Sequence, residues 1–182
     1  MDVAIWMVTG WRNAGKTTFC HEMMQTARSA GWDVAGLLSP ATFKDGIKDF
    51  IWAEDIRSGE KRPLAATLRQ AETDLIFGDW FFNSRTFEWG NRVLQASTPC
   101  DLLVIDELGP LEFNLSTGWM AAFEVLKTSH FHLGLVVIRP ELAQSAQAFI
   151  HSTKTIQLNN INQVNSQINL FGLLMMKLKG DS

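Results

Sequence analysis

A glycine-rich loop near the start of the sequence constrains this chain more than any other feature. Residues 10–17 read GWRNAGKT and match the pattern GxxxxGK[ST] at every fixed position. Residues 4–9 before the loop are apolar and partly β-branched, which predicts a buried strand. Residues 16–30 after it predict a helix with one apolar stripe, formed by Phe19, Met23, Ala27 and Ala30. Strand, loop and helix in this order are the setting in which such a loop binds phosphate.

The fixed positions of this loop have chemical reasons. Glycine allows backbone angles in which successive N–H groups turn toward a phosphate, and the helix beginning at Lys16 adds its unpaired N–H groups. The Lys16 ammonium can reach the β- and γ-phosphates, and the Thr17 hydroxyl is placed to bind Mg²⁺. The sequence therefore predicts a nucleoside triphosphate, such as ATP or GTP, bound with Mg²⁺. The predicted contacts are Gly10, Trp11, Arg12, Asn13, Ala14, Gly15, Lys16, Thr17 and Thr18.

Two acidic residues follow the most apolar run of the chain. Asp106 and Glu107 come directly after residues 102–105, LLVI, which predict a central parallel strand covered on both faces. Ligands of α/β sheets gather at the carboxyl ends of the strands, so Asp106 is expected to hold the metal. Glu107 is the candidate base that orients and deprotonates the attacking water. Arg139 follows a predicted strand at residues 133–138 and would either stabilise transition-state charge on this edge or remain solvated.

Strands alternate with helices along the rest of the sequence, which predicts an α/β fold with a mostly parallel central sheet. Residues 43–64 carry a strong turn signal at Asp45-Gly46 and predict an antiparallel hairpin added to this sheet. Pro140 is expected to open a helix. We expect one domain, residues 1–182, with a three-layer P-loop NTPase fold and helices on both faces of the sheet. Further strands are predicted at residues 33–38, 75–83 and 155–158, and further helices at residues 87–96, 117–128 and 162–178.

Composition argues against several classes of function. The 182 residues include 16 Lys and Arg and 19 Asp and Glu, and a net charge of −3 gives no electrostatic reason to expect nucleic acid or an anionic membrane as a partner. No apolar run approaches the roughly 20 residues of a membrane helix, and Asp2 does not fit a signal peptide. Cys20 and Cys100 lie far apart and predict reduced thiols. A cytoplasmic protein is expected.

The residues around the acidic pair resemble a known family. Residues 104–113, VIDELGPLEF, are similar to the D-E-[IL]-G-x-[ML]-E-[LF] stretch of the small nucleoside-triphosphatases first described from thermophiles and also found in animals. Residues 10–18 are similar to that family's phosphate loop, and softer similarities extend to about residue 158. The resemblance implies a mostly parallel sheet with antiparallel additions. It also implies slow, Mg²⁺-dependent hydrolysis of several nucleoside triphosphates with loose base selectivity.

Two positions depart from the pattern of this family. Members usually carry Asn-Arg near the start of the last helix, where this chain has Asn162-Gln163. Many members have lysine where this chain has Pro110. The resemblance therefore does not carry a base or phosphate contact over to Gln163.

Several weaker candidates have two interpretations each. Glu112 matches the family's second glutamate and would hold the 109–113 loop or a water, or would be an ordinary surface or capping acid. Arg12 would touch a phosphate or remain solvated. Arg57 and Arg62 flank a turn and would form a lid or, as the better interpretation, carry surface charge.

Three functions are compatible with these residues. The leading one is hydrolysis of a nucleoside triphosphate by water. A nucleoside or nucleotide kinase would use another acceptor and usually has a tight arginine cluster in its lid, which residues 56–92 lack. A slow nucleotide-binding switch would act on a protein partner, and this alternative is left open. A guanine-specific switch is disfavoured because the sequence holds no NKxD motif.

Overall fold

The computed structural model describes residues 3–11, 14–128 and 130–159, together with Ile168 and Phe171. Its strands are β1 (Ala4–Thr9), β2 (Val34–Leu38), β3 (Ala41–Lys44), β4 (Ile47–Asp55), β5 (Lys61–Ala66), β6 (Leu75–Phe77), β7 (Trp80–Phe82), β8 (Cys100–Leu108), β9 (Phe131–Ile138) and β10 (Lys154–Gln157). Its helices are α1 (Lys16–Ser29), α2 (Ser84–Gln95), α3 (Pro110–Leu115), α4 (Ala121–Thr128) and α5 (Ala143–Ala146), and a 3₁₀ turn at Pro140–Leu142 leads into α5.

One mixed sheet joins the ten strands of the described residues. Five strands run parallel in the order β10-β1-β9-β8-β2. From β2 the sheet continues through the antiparallel strands β4, β5, β7 and β6, and β3 pairs with β4. Parallel neighbours need long crossovers, whereas antiparallel neighbours can be joined by tight turns. The predicted parallel core with antiparallel additions is confirmed, and the antiparallel part is larger than the predicted hairpin.

Helices cover both faces of the sheet, as the three-layer prediction requires. On one face, α1 buries Phe19, Met23 and Ala27 of its predicted stripe, and Ala30 packs partly buried beside them. On the other face, α2 packs against β2, β4 and β5, and α4 packs against α2, within a second apolar cluster that includes Trp89. Alternate residues of each central strand therefore enter opposite cores, which is why these strands read as continuous apolar runs.

The single strand predicted at residues 75–83 is wrong. The structure has two strands of three residues, β6 and β7, with Phe77 paired to Trp80 across a tight turn. Gly78 in that turn has a φ of +57°, a left-handed conformation that glycine adopts at little cost. Gly78-Asp79, a Gly-Asp pair inside an apolar run, is therefore the sequence signal for this turn.

The helices depart from prediction mainly at their starts. Helix α2 begins at Ser84 because the Asn83 side chain accepts hydrogen bonds from the backbone N–H groups of Arg85 and Thr86. The helix predicted at residues 117–128 is wrong at its start, since α4 begins at Ala121 and a separate helix, α3, precedes it. The helix predicted at residues 162–178 lies outside the described residues except for Ile168 and Phe171, which are assigned helical. Within the described ranges, no helix is long and apolar enough to span a membrane.

Candidate active site

The phosphate loop brings the Lys16 ammonium back onto its own backbone. The Lys16 Nζ donates to the carbonyl oxygens of Gly10 at 2.7 Å and Trp11 at 2.9 Å. Gly15 precedes α1 with a φ of 89°, and no side chain of the described residues caps this helix start. The first N–H groups of α1 are therefore available to an anion. Arg12 and Asn13 lie outside the described residues.

The loop requires glycine at its first position because another strand passes close by. A Cβ at Gly10 would collide with the carbonyl oxygen of Leu158, the residue that follows β10. The backbone N–H of Leu158 also donates to the Thr9 carbonyl at 2.8 Å. The root of the loop is therefore held against the end of β10.

Asp106 and Thr17 form a set of oxygen ligands beside this loop. The Thr17 Oγ1 lies 3.5 Å from the Asp106 Oδ1, and the Asp106 carboxyl is 2% exposed. The backbone N–H of Ser39 donates to the Asp106 Oδ2 at 3.2 Å, and the Ser39 hydroxyl donates to the Asp106 carbonyl at 2.9 Å. Ser39 was missed as a site residue. Its position at the carboxyl end of β2, next to β8, was the available signal.

The environment of Asp106 suits a bound cation. Burial, and secondly the nearby Glu107 charge, raise the pKa of the Asp106 carboxyl to about 6. A buried carboxylate beside an exposed threonine hydroxyl is an oxygen donor set that fits Mg²⁺, and a cation would offset the cost of burying the charge. Among the described residues, no three His, Cys, Asp or Glu side chains form a metal cluster.

Glu107 is held in an unusual backbone conformation and by an ion pair. Its φ is 81°, and the pairing of β8 with β9 shifts register between Ile105 and Leu108 at this point. The Arg139 Nε donates to the Glu107 Oε1 at 2.8 Å. Both side chains are partly exposed, at 46% for Arg139 and 33% for Glu107. A left-handed φ at a residue other than glycine costs energy and is frequent at functional sites.

The two acids and the two cations of this edge influence one another. Burial is the largest effect on the Lys16 ammonium and lowers its pKa, while the carboxylates of Glu107 and Asp106 act in the opposite direction. The Arg139 charge lowers the pKa of Lys16 further. The structure therefore brings Lys16, Thr17, Asp106, Glu107 and Arg139 together at the carboxyl ends of the parallel strands.

Glu112 holds the loop that follows the acidic pair. It is 5% exposed, and its carboxylate accepts from the backbone N–H groups of Gly109 at 2.7 Å and Trp119 at 2.8 Å. Burial raises the pKa of this carboxyl to about 7. The structure supports Glu112 both as the residue that holds this loop and as a capping acid at the start of α3, and it contradicts a surface acid.

The two arginines considered as lid residues have other partners. Arg57 pairs with Asp33 at 2.7 Å and donates to the carbonyls of Ala96, Ser97 and Pro99. These groups lie at the amino-terminal ends of β2 and β8, so Arg57 is on the edge opposite the phosphate loop. Arg62 pairs with Glu60 and lies over the Trp89 ring at 4.8 Å. These contacts contradict a lid at Arg57 and support the better interpretation, surface charge, for both arginines.

This combination of fold and site defines a class. A phosphate loop between β1 and α1, with a buried acid at the end of a neighbouring parallel strand, is the arrangement of P-loop nucleoside-triphosphate-binding proteins. A family model described as NTPase matches residues 5–170. The chain therefore belongs to the NTPase family and is a hydrolase of nucleoside triphosphates, which confirms the resemblance read from residues 10–18 and 104–113.

Named relatives and solved structures agree with this assignment. The chain is 23% identical over 156 residues to the nucleoside-triphosphatase THEP1 of Caldivirga maquilingensis, covering 86% of each sequence. It is 31% identical over 108 residues to THEP1 of Archaeoglobus fulgidus, covering 58% of this chain and 60% of that protein. Its fold is similar to the solution structure of a human cancer-related nucleoside triphosphatase, with a TM-score of 0.66 at 18% identity over 100% of both chains. THEP1 from Aquifex aeolicus gives a TM-score of 0.65 at 11% identity, covering 91% of this chain and 95% of that one.

Proposed function

We propose that this chain is a cytoplasmic, Mg²⁺-dependent nucleoside-triphosphatase with loose base selectivity that accepts ATP and GTP. The reaction converts a nucleoside triphosphate and water into a nucleoside diphosphate and phosphate. One observation carries the proposal: a lysine, a hydroxyl–carboxylate pair and an ion-paired glutamate converge at one edge of the sheet. Residues 1–182 would act as a single domain.

The phosphates would be held by the loop, residues 10–18. The Lys16 ammonium bonds to the Gly10 and Trp11 carbonyls, which keeps it over the loop where the β- and γ-phosphates would bind. Thr17 and Asp106 would hold Mg²⁺, which when bound neutralises phosphate charge and orients the triphosphate. Catalysis of this kind depends mainly on positioning and electrostatic stabilisation.

Glu107 would orient the attacking water and accept its proton. The water oxygen forms a bond to the γ-phosphorus, while the bond from that phosphorus to the bridging oxygen of the diphosphate breaks. Arg139 holds the Glu107 carboxylate through its Nε, and its two Nη groups make no hydrogen bond to any described residue. These N–H groups are free to stabilise charge on the transferring phosphoryl group, as an arginine supplied in cis does.

Hydrolysis is favoured over transfer to another acceptor. A kinase would need basic residues arranged to close over its acceptor. Arg57 and Arg62, which were the candidates, are bonded to other groups instead. Water is therefore the favoured acceptor of the phosphoryl group.

The test is phosphate release from ATP, GTP, CTP and UTP, with Mg²⁺ and with a chelator. We expect release from all four that disappears with the chelator. Lys16→Ala is expected to lower kcat/KM by about 10²–10³-fold, because it removes a charge that stabilises the transition state. Lys127→Ala, in the exposed Lys127–Glu124 pair of α4, is the matched control. Unchanged turnover in Lys16→Ala would overturn the proposal.

A further inference from the structure

A polar groove lies beside the phosphate loop, on the face of the sheet opposite α1. Its floor consists of Met7 and Thr9 of β1 with Thr155 and Gln157 of β10. One wall is formed by Pro140 and one side of α5, and the volume is about 590 Å³. Sites for small molecules usually have volumes of about 300–1,000 Å³.

The strand register explains why the floor is polar. Thr9 pairs with Gln157 and Met7 with Thr155, so all four side chains point to the same face of the two strands. Helix α5 adds Gln144, and Gln147, the residue that follows this helix with helical backbone angles, lies three residues on and so shares the same side. Five hydrogen-bonding side chains therefore meet in one groove.

None of these five side chains forms a hydrogen bond within the described part of the chain. Thr9 is the sharpest case, because it is 5% exposed and its Oγ1 is the buried side-chain atom left without a partner among the described residues. Buried hydroxyls are normally satisfied, since an unpaired one costs free energy. The side chains of Thr155, Gln157, Gln144 and Gln147 likewise make no hydrogen bond to described residues, although they are more exposed.

The side chains that line the groove disfavour a charged ligand. Of the described residues that line it, none is charged. Amides offer both a donor and an acceptor, and hydroxyls can serve as either. Glutamine amides are among the side chains that pair with the edges of nucleobases.

We propose that this groove binds a nucleobase. The inference rests on the nucleotide binding proposed above. Thr9 immediately precedes Gly10, where the phosphate loop begins, and Pro140 immediately follows Arg139. The groove therefore adjoins the triphosphate site at two points. Because a glutamine amide can rotate to exchange its donor and acceptor, these side chains accept both adenine and guanine edges, which gives loose base selectivity a structural cause.

The base can come from the nucleotide on the loop or from a separate nucleoside, and binding measurements distinguish the two. The probes are the β,γ-methylene analogue of ATP, inorganic triphosphate and adenosine, each with Mg²⁺ and measured by calorimetry. The variants are Gln144→Ala combined with Gln147→Ala, and Thr9→Val, which keeps the side-chain shape. Gln95→Ala, at an exposed glutamine of α2, is the matched control.

If the base of the bound nucleotide occupies the groove, the paired alanine variant binds the ATP analogue roughly tenfold more weakly and binds inorganic triphosphate with unchanged affinity. If a separate nucleoside occupies it, the analogue is unchanged, and adenosine binding seen in the wild type is lost. Thr9→Val is expected to show the same pattern more weakly, with an unchanged or higher Tm as evidence of folding. The proposal is overturned if neither variant changes the affinity for the analogue or for adenosine. It is also overturned if the affinity for inorganic triphosphate falls as much as the affinity for the analogue.

These measurements need no turnover. A wild-type chain that binds the analogue but releases no phosphate would contradict the proposed hydrolysis and leave the groove testable. Conversely, normal hydrolysis with no effect at residues 9, 144 and 147 would contradict the groove alone.

Discussion

The two ends of the parallel strands use charged residues in different ways. At the amino-terminal edge, Arg57 bonds to Asp33 and to three backbone carbonyls, and His132 lies 3.3 Å from Asp101. At the carboxyl-terminal edge, Asp106 is buried with a raised pKa, and Glu107 sits at a positive φ. Charges on the first edge have partners within the chain. On the second edge Glu107 also pairs with Arg139, but Asp106 is buried beside the Thr17 hydroxyl in a donor set that fits a cation. We infer that the first edge serves stability and the second serves chemistry.

The largest expected effect that tests this comparison is on turnover. Glu107→Gln keeps the size of the side chain and removes its ability to accept a proton. We expect kcat to fall by about 10²–10⁴-fold, the usual contribution of general acid–base catalysis. Phosphate release measures it, and Glu124→Gln on the exposed face of α4 is the control.

A double variant shows whether Arg139 acts through Glu107 or directly on phosphate. If it acts only by holding Glu107, adding Arg139→Ala to Glu107→Gln lowers kcat no further. An additional loss would mean that its Nη groups contact the transferring phosphoryl group. Full activity in Glu107→Gln would remove Glu107 from the mechanism and weaken the contrast between the edges.

The second effect concerns stability and pH. The folded-state pKa of Asp106 is about 6, above its ordinary value of 3.8, so folding favours the protonated carboxyl. The buried charge therefore destabilises the fold above about pH 6, and this cost disappears as pH falls from 6 toward 4. In a chelator, Asp106→Asn is expected to be more stable than wild type at pH 7.5, by up to about 3 kcal/mol.

Urea unfolding at several pH values checks this expectation. The advantage of Asp106→Asn should shrink as pH falls through 6. Asp79→Asn in the exposed β6–β7 turn removes one carboxylate without removing a buried one, and should show no such pH dependence. A difference that stays constant between pH 4 and 7.5 would show that burial of the Asp106 charge does not carry the cost.

The smallest effect is expected at the other edge. Arg57→Ala should lower the free energy of unfolding by about 1–2 kcal/mol, because it leaves the carbonyls of Ala96, Ser97 and Pro99 without their donor. Arg62→Ala should cost less, since its ion pair is exposed. Both variants should hydrolyse triphosphates at the wild-type rate. A large loss of kcat in Arg57→Ala would contradict the inference that this edge serves stability and the other edge serves chemistry.

Local sequence patterns predicted most of the fold. The strand at residues 4–9, the helix from Lys16 and the apolar run ending at Ile105 were predictable because each is long or sharply bounded. Helix α3 was not, because six residues are too few for a periodic pattern. Its start is held by Glu112 bonding back to Gly109, and its loop by Glu112 reaching Trp119.

The site was predictable where one segment contains the chemistry. Residues 10–18 and the pair Asp106-Glu107 are such segments. The contacts of Asp106 with Ser39, and of Glu107 with Arg139, join residues far apart in sequence. Only the order of strands in the sheet brings them together, and no local pattern records that order. For the same reason no local pattern predicts the groove, whose polar side chains come from β1, from α5 with the residue after it, and from β10.

The position of β1 has a consequence for biosynthesis. Strand β1 pairs with two strands encoded more than a hundred residues after it, since Ala4 lies opposite Leu133 and Thr9 opposite Gln157. A nascent chain that has not yet delivered β10 also lacks the Leu158 contacts that hold the root of the phosphate loop. Such late, non-local closure slows folding and lengthens the time that apolar strands stay uncovered. The newly made protein would therefore gain its affinity for nucleotide only after β10 and Leu158 have been synthesised.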